Sequence, residues 1–201
     1  MLAILLLAAG RSSRMGDRDK LMEAVDGAPL LRTMVKRAQT TGAPVFVVLP
    51  PDRPDRAAAL DGLPLTPVQA HDAHLGMAHS LRAGVAALPV SATAAMILPA
   101  DMPDITADDL ATMRTAQSKT PTAILRATSS EGKPGHPVVF PSALFPDLLT
   151  LSGDSGARAV LAANKDQIIP VPLPANHALT DLDTPTDWAR WRASRTDDIP
   201  T

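Results

Sequence analysis

The 201-residue chain contains no cysteine and no tyrosine, and aromatic residues make up only 2% of it. The first absence rules out disulfides and thiolate metal sites and fits a reducing compartment. The scarcity of aromatics leaves Trp188 and Trp191 as the sole tryptophans. The core must therefore be built from Leu, Val, Ile, Ala and Met. Stacking platforms of the kind that hold single-stranded nucleic acid are not available. Excess charge is missing too. With 19 basic and 21 acidic residues the net charge is −2, which argues against a nucleic-acid surface made by bulk charge. No apolar run is long enough to span a bilayer. The N-terminal MLAILLLAAG has no basic segment before it, as a secretory signal should, and reads as a buried first strand. The expected location is cytoplasmic, away from membranes.

What is present suits one globular domain: 45% hydrophobic and 20% charged residues, in a chain long enough for one substantial core. Short apolar runs alternate with longer helical patterns, which predicts βαβ units and a mostly parallel sheet. Strands are predicted at 2–8, 45–49, 94–98, 122–126, 138–140 and 168–171. Helices are predicted at about 30–41, 56–60, 77–88, from 106 onward, 155–164 and 185–194. Gly42 and Pro44 close the first helix, and Pro89 closes the third. Thr106, followed by Asp108 and Asp109, opens the next as its N-cap. The 20 prolines act as punctuation at element ends. Nothing divides the chain, so residues 1–194 are expected to form one doubly wound α/β domain, with 195–201 a disordered tail.

In an open parallel sheet, ligands bind outside the carboxyl ends of the strands. The segment 7–16, LAAGRSSRMG, leaves the first strand at that edge. Its successive N–H groups can form an anion nest, and Arg11, Arg14 and Lys20 add mobile positive charge for a polyphosphate. The plainer reading is a solvated basic loop. Neither GxGxxG nor GxxxxGK[ST] is present, which excludes the dinucleotide fingerprint and the P-loop. A second stretch, ILPADMP at 97–103, brings Asp101 to the same edge. Mg²⁺ takes one or two carboxylates with phosphate oxygens and water, although a turn aspartate that caps its own backbone is as good a reading. In EGKPGHP, at 131–137, His136 either meets an acceptor or braces the turn, and the residues alone favour bracing. SGDSGAR at 152–158 opens a helix, with Asp154 or Ser155 as an ordinary N-cap. Asp181 and Asp183, before the last helix, are either site carboxylates or helix-start acids. His71 and His74 lack a third partner for a metal.

LAAGRSSRMG with Lys20, GMAHSLRAG at 76–84, LPADMP around Asp101, GKPGHPVVF at 132–140, GDSGAR at 153–158 and DLDTPTDW at 181–188 together resemble the MobA-like nucleotidyltransferases. The resemblance spans nearly the whole chain and is strongest to the molybdenum cofactor cytidylyltransferase branch. It implies a Rossmann-like nucleotidyltransferase fold with a nucleotide over the first half of the sheet. Leu7, Ala8, Ala9, Gly10 and Arg11 would hold base and phosphates, and Ser80 would lie near the nucleoside. Lys20 and Arg14 would act on the phosphates. Asp101 would ligate Mg²⁺, with Asp181 or Asp183 completing the site, and His136 would face the acceptor. The guanylyl branch has LAGG where this chain has Leu7-Ala8-Ala9-Gly10. A methyl at Ala9 crowds a purine more than a pyrimidine, so CTP is favoured over GTP. Ala100 departs from the glycine that many relatives carry there. The implied reaction moves CMP from CTP to a phosphorylated acceptor, molybdopterin or the molybdenum cofactor, and releases pyrophosphate. Handover to a molybdenum enzyme or insertion chaperone would follow. Two other readings stand beside it: a sugar- or polyol-phosphate cytidylyltransferase, and a non-catalytic nucleotide- or cofactor-binding protein.

Overall fold

A computed structural model describes residues 1–154 and 156–196. The chain runs β1 (Leu2–Leu7), β2 (Ala24–Val25), β3 (Ala28–Pro29), α1 (Leu30–Gln39), β4 (Val45–Leu49), α2 (Pro54–Ala58), β5 (Thr66–Gln69) and α3 (Met77–Ala86). It continues through β6 (Ala94–Pro99), α4 (Ala107–Lys119), β7 (Ile124–Thr128), β8 (Pro134–Pro141), α5 (Phe145–Leu149), α6 (Arg158–Ala163), β9 (Ile168–Pro172) and α7 (Pro185–Thr196).

An all-apolar strand has to be covered on both faces, and β1 lies inside the sheet, paired in parallel with β4 and β6. The seven-stranded order is β5-β4-β1-β6-β8-β7-β9. β8 is antiparallel to both its neighbours, and the other pairs are parallel. This is the expected doubly wound α/β architecture. Side chains alternate across β1 with the period of two that a strand imposes. Leu2, Ile4 and Leu6 join one core with α1, α4 and the two tryptophans of α7. Ala3 and Leu5 join the other, with α3, α5 and α6. Gly84 lets α3 approach the sheet, since a Cβ there would stand 3.0 Å from a Val48 methyl.

Local chemistry explains the element ends. Thr106 and Asp109 form a reciprocal capping box on α4. Proline removes the ladder N–H, and both edge strands carry it: Pro67 in β5, Pro170 and Pro172 in β9. That composition blunts the edges against pairing with other chains.

The structure departs from expectation in several elements. β5, the β2–β3 hairpin and α5 were not predicted, because each is short and β5 is polar and broken by proline. β8 extends over Pro134–Pro141 rather than 138–140, its three prolines having hidden it. A turn through Ala123, whose N–H donates to Thr120 O, delays β7 to Ile124. α6 begins at Arg158 rather than 155. Helix α7 includes Arg195 and Thr196, and the rest of the expected tail, 197–201, lies outside the described residues. Among the described residues no helix is long and apolar enough to cross a membrane.

Leu6 is fully buried and Val90 fully exposed. Leu6→Ala should therefore lower the unfolding free energy by about 2–5 kcal/mol, and Val90→Ala should change it by less than about 0.5 kcal/mol. Paired denaturant titrations check both.

Candidate active site

The loop after β1 is held from beneath. Ala8 donates its N–H to Val48 O at 2.9 Å, which carries the strand geometry one residue further. Ser12 then takes the left-handed conformation, φ 55°, unusual for a residue with a side chain. Its hydroxyl donates to Asp19 Oδ1 (3.0 Å) and accepts from Arg56 Nη2 (3.1 Å) and Lys20 N (3.3 Å). Arg56 has no exposed surface. Its Nε and Nη2 reach the two Asp19 oxygens at 2.7 and 2.9 Å, and its Nη1 reaches Ala8 O at 2.6 Å. Burial alone would raise the Asp19 pKa. The Arg56 guanidinium outweighs it and holds the carboxyl below its ordinary value.

Backbone groups buried in a fold are almost always paired. Here the N–H groups of Gly10, Arg11 and Ser12 donate to no atom of the described residues, so they remain free donors beside the open side of the turn, as an anion nest requires.

That open side is a cleft of about 580 Å³. Leu7, Ala9, Gly10, Arg11 and Arg14 line it from the loop, and Ser80 lines it from α3. On the opposite wall stand Lys20, Asp101, Asp181 and Asp183. The Lys20 ammonium bridges two carboxylates, bonding Asp101 Oδ2 and Asp183 Oδ1, the latter at 2.6 Å. Arg14 Nη2 contacts the second oxygen of Asp183 at 2.6 Å. Burial acts to lower the Lys20 pKa, but Asp101 and Asp183 more than offset this, and the group is held above its ordinary value as a cation. The Asp181 pKa is raised as well, by burial and then by the charges of Asp183 and Asp101. Arg11 is turned aside, its Nη2 donating to His74 O at 2.6 Å. A smaller recess of about 280 Å³ opens between Ala9, Gly10, Pro50 and Ala70.

A second cavity of about 370 Å³ adjoins the cleft and shares Asp101, Asp181, Asp154 and Arg158 with it. His136 and Arg126 belong to this second space. The His136 backbone N–H donates to Ala178 O at 2.9 Å. Gly135 is required beside it, because a Cβ would fall 1.9 Å from that same oxygen. The backbone of the loop is thus the brace, and the ring is left to the cavity. Burial, then the Arg126 charge, lowers the His136 pKa, so the ring is neutral near pH 7. Its buried Nδ1 has no partner.

Eleven of the sequence-predicted residues therefore line one cleft or its neighbour: Leu7, Ala9, Gly10, Arg11, Arg14, Lys20, Ser80, Asp101, His136, Asp181 and Asp183. Ala8 is the correction. Its side chain is 1% exposed and packs into the core, and its carbonyl is taken by Arg56, so it cannot touch a ligand. Sequence reasoning missed Asp19, Arg56, Arg126 and Arg158. Arg126 left a signal, a charge within the apolar strand Ile124-Leu-Arg-Ala127. Arg56 left none, since an arginine in a short Ala-rich helix looks solvated.

A nest of free N–H groups facing a lysine and paired carboxylates at the sheet's carboxyl edge suits a polyphosphate. A family model for the MobA-like NTP transferase domain matches residues 4–168. The chain belongs to that family. As a MobA-like NTP transferase it is 35% identical over 132 residues to the bifunctional protein GlmU of Anaeromyxobacter sp. (strain K). The match covers 63% of this chain and 27% of GlmU, so the chain spans about a quarter of that relative. The crystal structure of Rv0371c from Mycobacterium tuberculosis H37Rv superimposes with a TM-score of 0.81 at 26% identity, covering 94% of this chain and 95% of that one. A homologue of Rv0371c from Mycobacterium sp. strain JC1 gives 0.83 at 25% identity, over 98% and 97%.

Removing Arg56 leaves Asp19 without its buried counter-charge. Arg56→Met should lower the unfolding free energy by about 3–5 kcal/mol. A carboxyl whose pKa is depressed by folding adds stability above its unfolded value of about 3.9 and loses it as the pH falls further. The wild-type protein should therefore lose stability on acidification below about pH 4, with the Asp19 share of that loss absent in Arg56→Met. Urea titrations from pH 3 to 7 read both effects.

Proposed function

We propose that this MobA-like transferase moves CMP from CTP to a phosphorylated acceptor of the molybdopterin class, with Mg²⁺, and releases pyrophosphate. The convergence of Asp101 and Asp183 on one ammonium, Lys20 Nζ, carries this reading. A point where two carboxylates meet a single cation is a point where a divalent ion can be held. Among the described residues no three acidic or histidine side chains form a ready-made metal cage. That agrees with Mg²⁺, which takes one or two carboxylates and fills its other positions with phosphate oxygens and water. Asp101 and Asp183 would hold it, and the choice left open between Asp181 and Asp183 falls on Asp183 because it shares the ammonium. When bound, the ion neutralises charge on the triphosphate oxygens.

The remaining steps belong to the chain's own groups. The Gly10–Ser12 N–H groups receive the phosphates. Lys20 and Arg14 then exchange carboxylate for phosphate oxygens and stabilise charge on the departing pyrophosphate. An acceptor phosphate oxygen, already ionised at neutral pH, attacks the α-phosphorus, and the bond to the β-phosphate oxygen breaks. No covalent enzyme intermediate is needed, because positioning and charge stabilisation suffice. The recess beside Ala9 is the base site in this reading. A methyl at Ala9 leaves less room for a purine than a glycine would, which favours CTP. Delivery of the product to a molybdenum enzyme or insertion chaperone completes the proposal.

Thermal shifts with CTP, GTP and ATP, with and without Mg²⁺, test the nucleotide. A ligand at about 100 times its Kd adds roughly 2.7 kcal/mol, and the largest Mg²⁺-dependent shift is expected with CTP. With molybdopterin as acceptor, Lys20→Ala and Asp101→Asn should each lower pyrophosphate release by about 10²–10³. No shift with any triphosphate, or near-normal turnover in either variant, overturns the assignment. Turnover of a sugar phosphate in place of molybdopterin replaces the acceptor and keeps the rest.

A further inference from the structure

The two adjoining cavities differ in how their charges are satisfied. In the cleft, Lys20 and Arg14 are paired with carboxylates. Arg126, in the second cavity, and Arg158, which lines both, form no ion pair among the described residues. Arg126 stands on β7, an interior strand whose other residues are buried. The only hydrogen bond of its side chain among the described residues runs from Nε to Gly135 O at 3.3 Å. Arg158, the first residue of α6, forms no ion pair among them, although Asp154, Asp101 and Asp181 line the same walls. The two guanidinium groups feel each other. Burial, then the Arg158 charge, lowers the Arg126 pKa. Beside them lies the buried, unpartnered His136 Nδ1.

A half-buried charge in an interior strand without an ion-pair partner, as at Arg126, is costly, and the charge of the exposed Arg158 on the same cavity adds to that cost. An anion between them removes the repulsion and meets the fork geometry of guanidinium groups. Besides the three aspartates and His136, the wall holds an apolar stretch of Leu81, Ile97, Phe140, Leu161 and Leu179. That stretch offers nothing to the hydroxyls of a sugar or polyol and suits a flat or apolar body. Asp101 and Asp181 face both cavities, so an anion here lies next to the reacting phosphates.

We propose that Arg126 and Arg158 clamp the acceptor's phosphate monoester, and that the apolar wall selects an acceptor whose phosphate is carried by a ring or other apolar body. This rests on the transferase reading given above and narrows it, against sugar and polyol phosphates.

Phenyl phosphate is the probe, with glycerol 3-phosphate for charge without a ring and benzyl alcohol for a ring without charge. Each is titrated calorimetrically into the full chain, alone and with saturating α,β-methylene-CTP and Mg²⁺. Phenyl phosphate should bind at least about fivefold tighter than glycerol 3-phosphate, benzyl alcohol should not bind measurably, and the analogue should not displace the probe. Arg126→Gln and Arg158→Gln should each weaken phenyl phosphate by roughly tenfold or more. Arg126→Lys keeps the charge but not the fork and should lose less, which also covers a failure of Arg126→Gln to fold. Wild-type affinity in both glutamine variants overturns the clamp, as does displacement of the probe by the analogue. Equal affinity for the two phosphate esters overturns the apolar selection. An absence of any CTP-induced thermal shift in the wild type overturns the cytidylyl reading instead, and the titration of the free protein still decides the clamp.

Discussion

A guanidinium group with no exposure to solvent ties the end of β1 to the loop that β1 feeds, and the open face of the site depends on it. Arg56 has five N–H donors and uses four contacts, two to Asp19, one to Ala8 O and one to Ser12 Oγ. Each contact takes up an inward-facing acceptor. The inner side of the turn is thereby tied down while the N–H groups of Gly10, Arg11 and Ser12 keep no partner among the described residues. From Gly10 to Arg14 the loop has no apolar side chain to anchor it. Without the buried ion pair, the left-handed Ser12 would have nothing to fix it, and a free glycine-rich segment would sacrifice ordering entropy on every binding event. Preorganisation here comes from a residue that touches no ligand.

The charges on the cleft wall are arranged by the same logic of partial satisfaction. Asp183 is held by two cations, Arg14 and Lys20, and Asp101 by one of them. Asp181 forms no ion pair among the described residues and carries a pKa raised by burial and by its carboxylate neighbours. Lys20 keeps its proton because it sits among these carboxylates. The same ammonium is on a flexible stem, so a polyphosphate entering the cleft can draw it away with no change in backbone. The carboxylates it leaves are then set for another cation. In the proposed reaction, charge exchange rather than a moving domain is the change this site would make.

Much of this was legible because strand ends and turns obey strong local rules. The apolar run of β1, the Gly and basic residues after it, and Asp101 after β6 all fall at one sheet edge once a parallel sheet is inferred. What could not be read depends on contacts between distant segments. Arg56 lies 37 positions from Asp19, and its helix gives no sign that it faces inward. Ala8 belongs to a motif whose neighbours face the ligand, yet strand alternation carries on through it and turns its methyl into the core. β5 and β8 were missed or shortened because proline counts against a strand in sequence, while an edge or an irregular register accommodates it. The register between β7 and β8 does shift between Arg126 and Thr128, opposite the proline-rich start of β8.

That irregular strand explains how the two cavities come to share a wall. In a sheet whose strands all run one way, only strand ends reach the carboxyl edge, and an acceptor wall would have to come from loops alone. β8 runs against its neighbours, so its first residues, not its last, arrive at the edge where β1 and β6 end. Val138 pairs with Ile97 on one side and Arg126 on the other. His136, two residues earlier, is thereby carried to the edge near Asp101, whose charge acts on its ring, and Arg126 is held level with the loop. The Ala178 carbonyl then fixes the backbone at His136, and Gly135 must stay without a side chain for that contact to form. One reversed strand between β6 and β7 therefore sets the cavity of Arg126 directly against the cleft of Arg14 and Lys20, and Asp101, just beyond the end of β6, stands on the seam with Arg158.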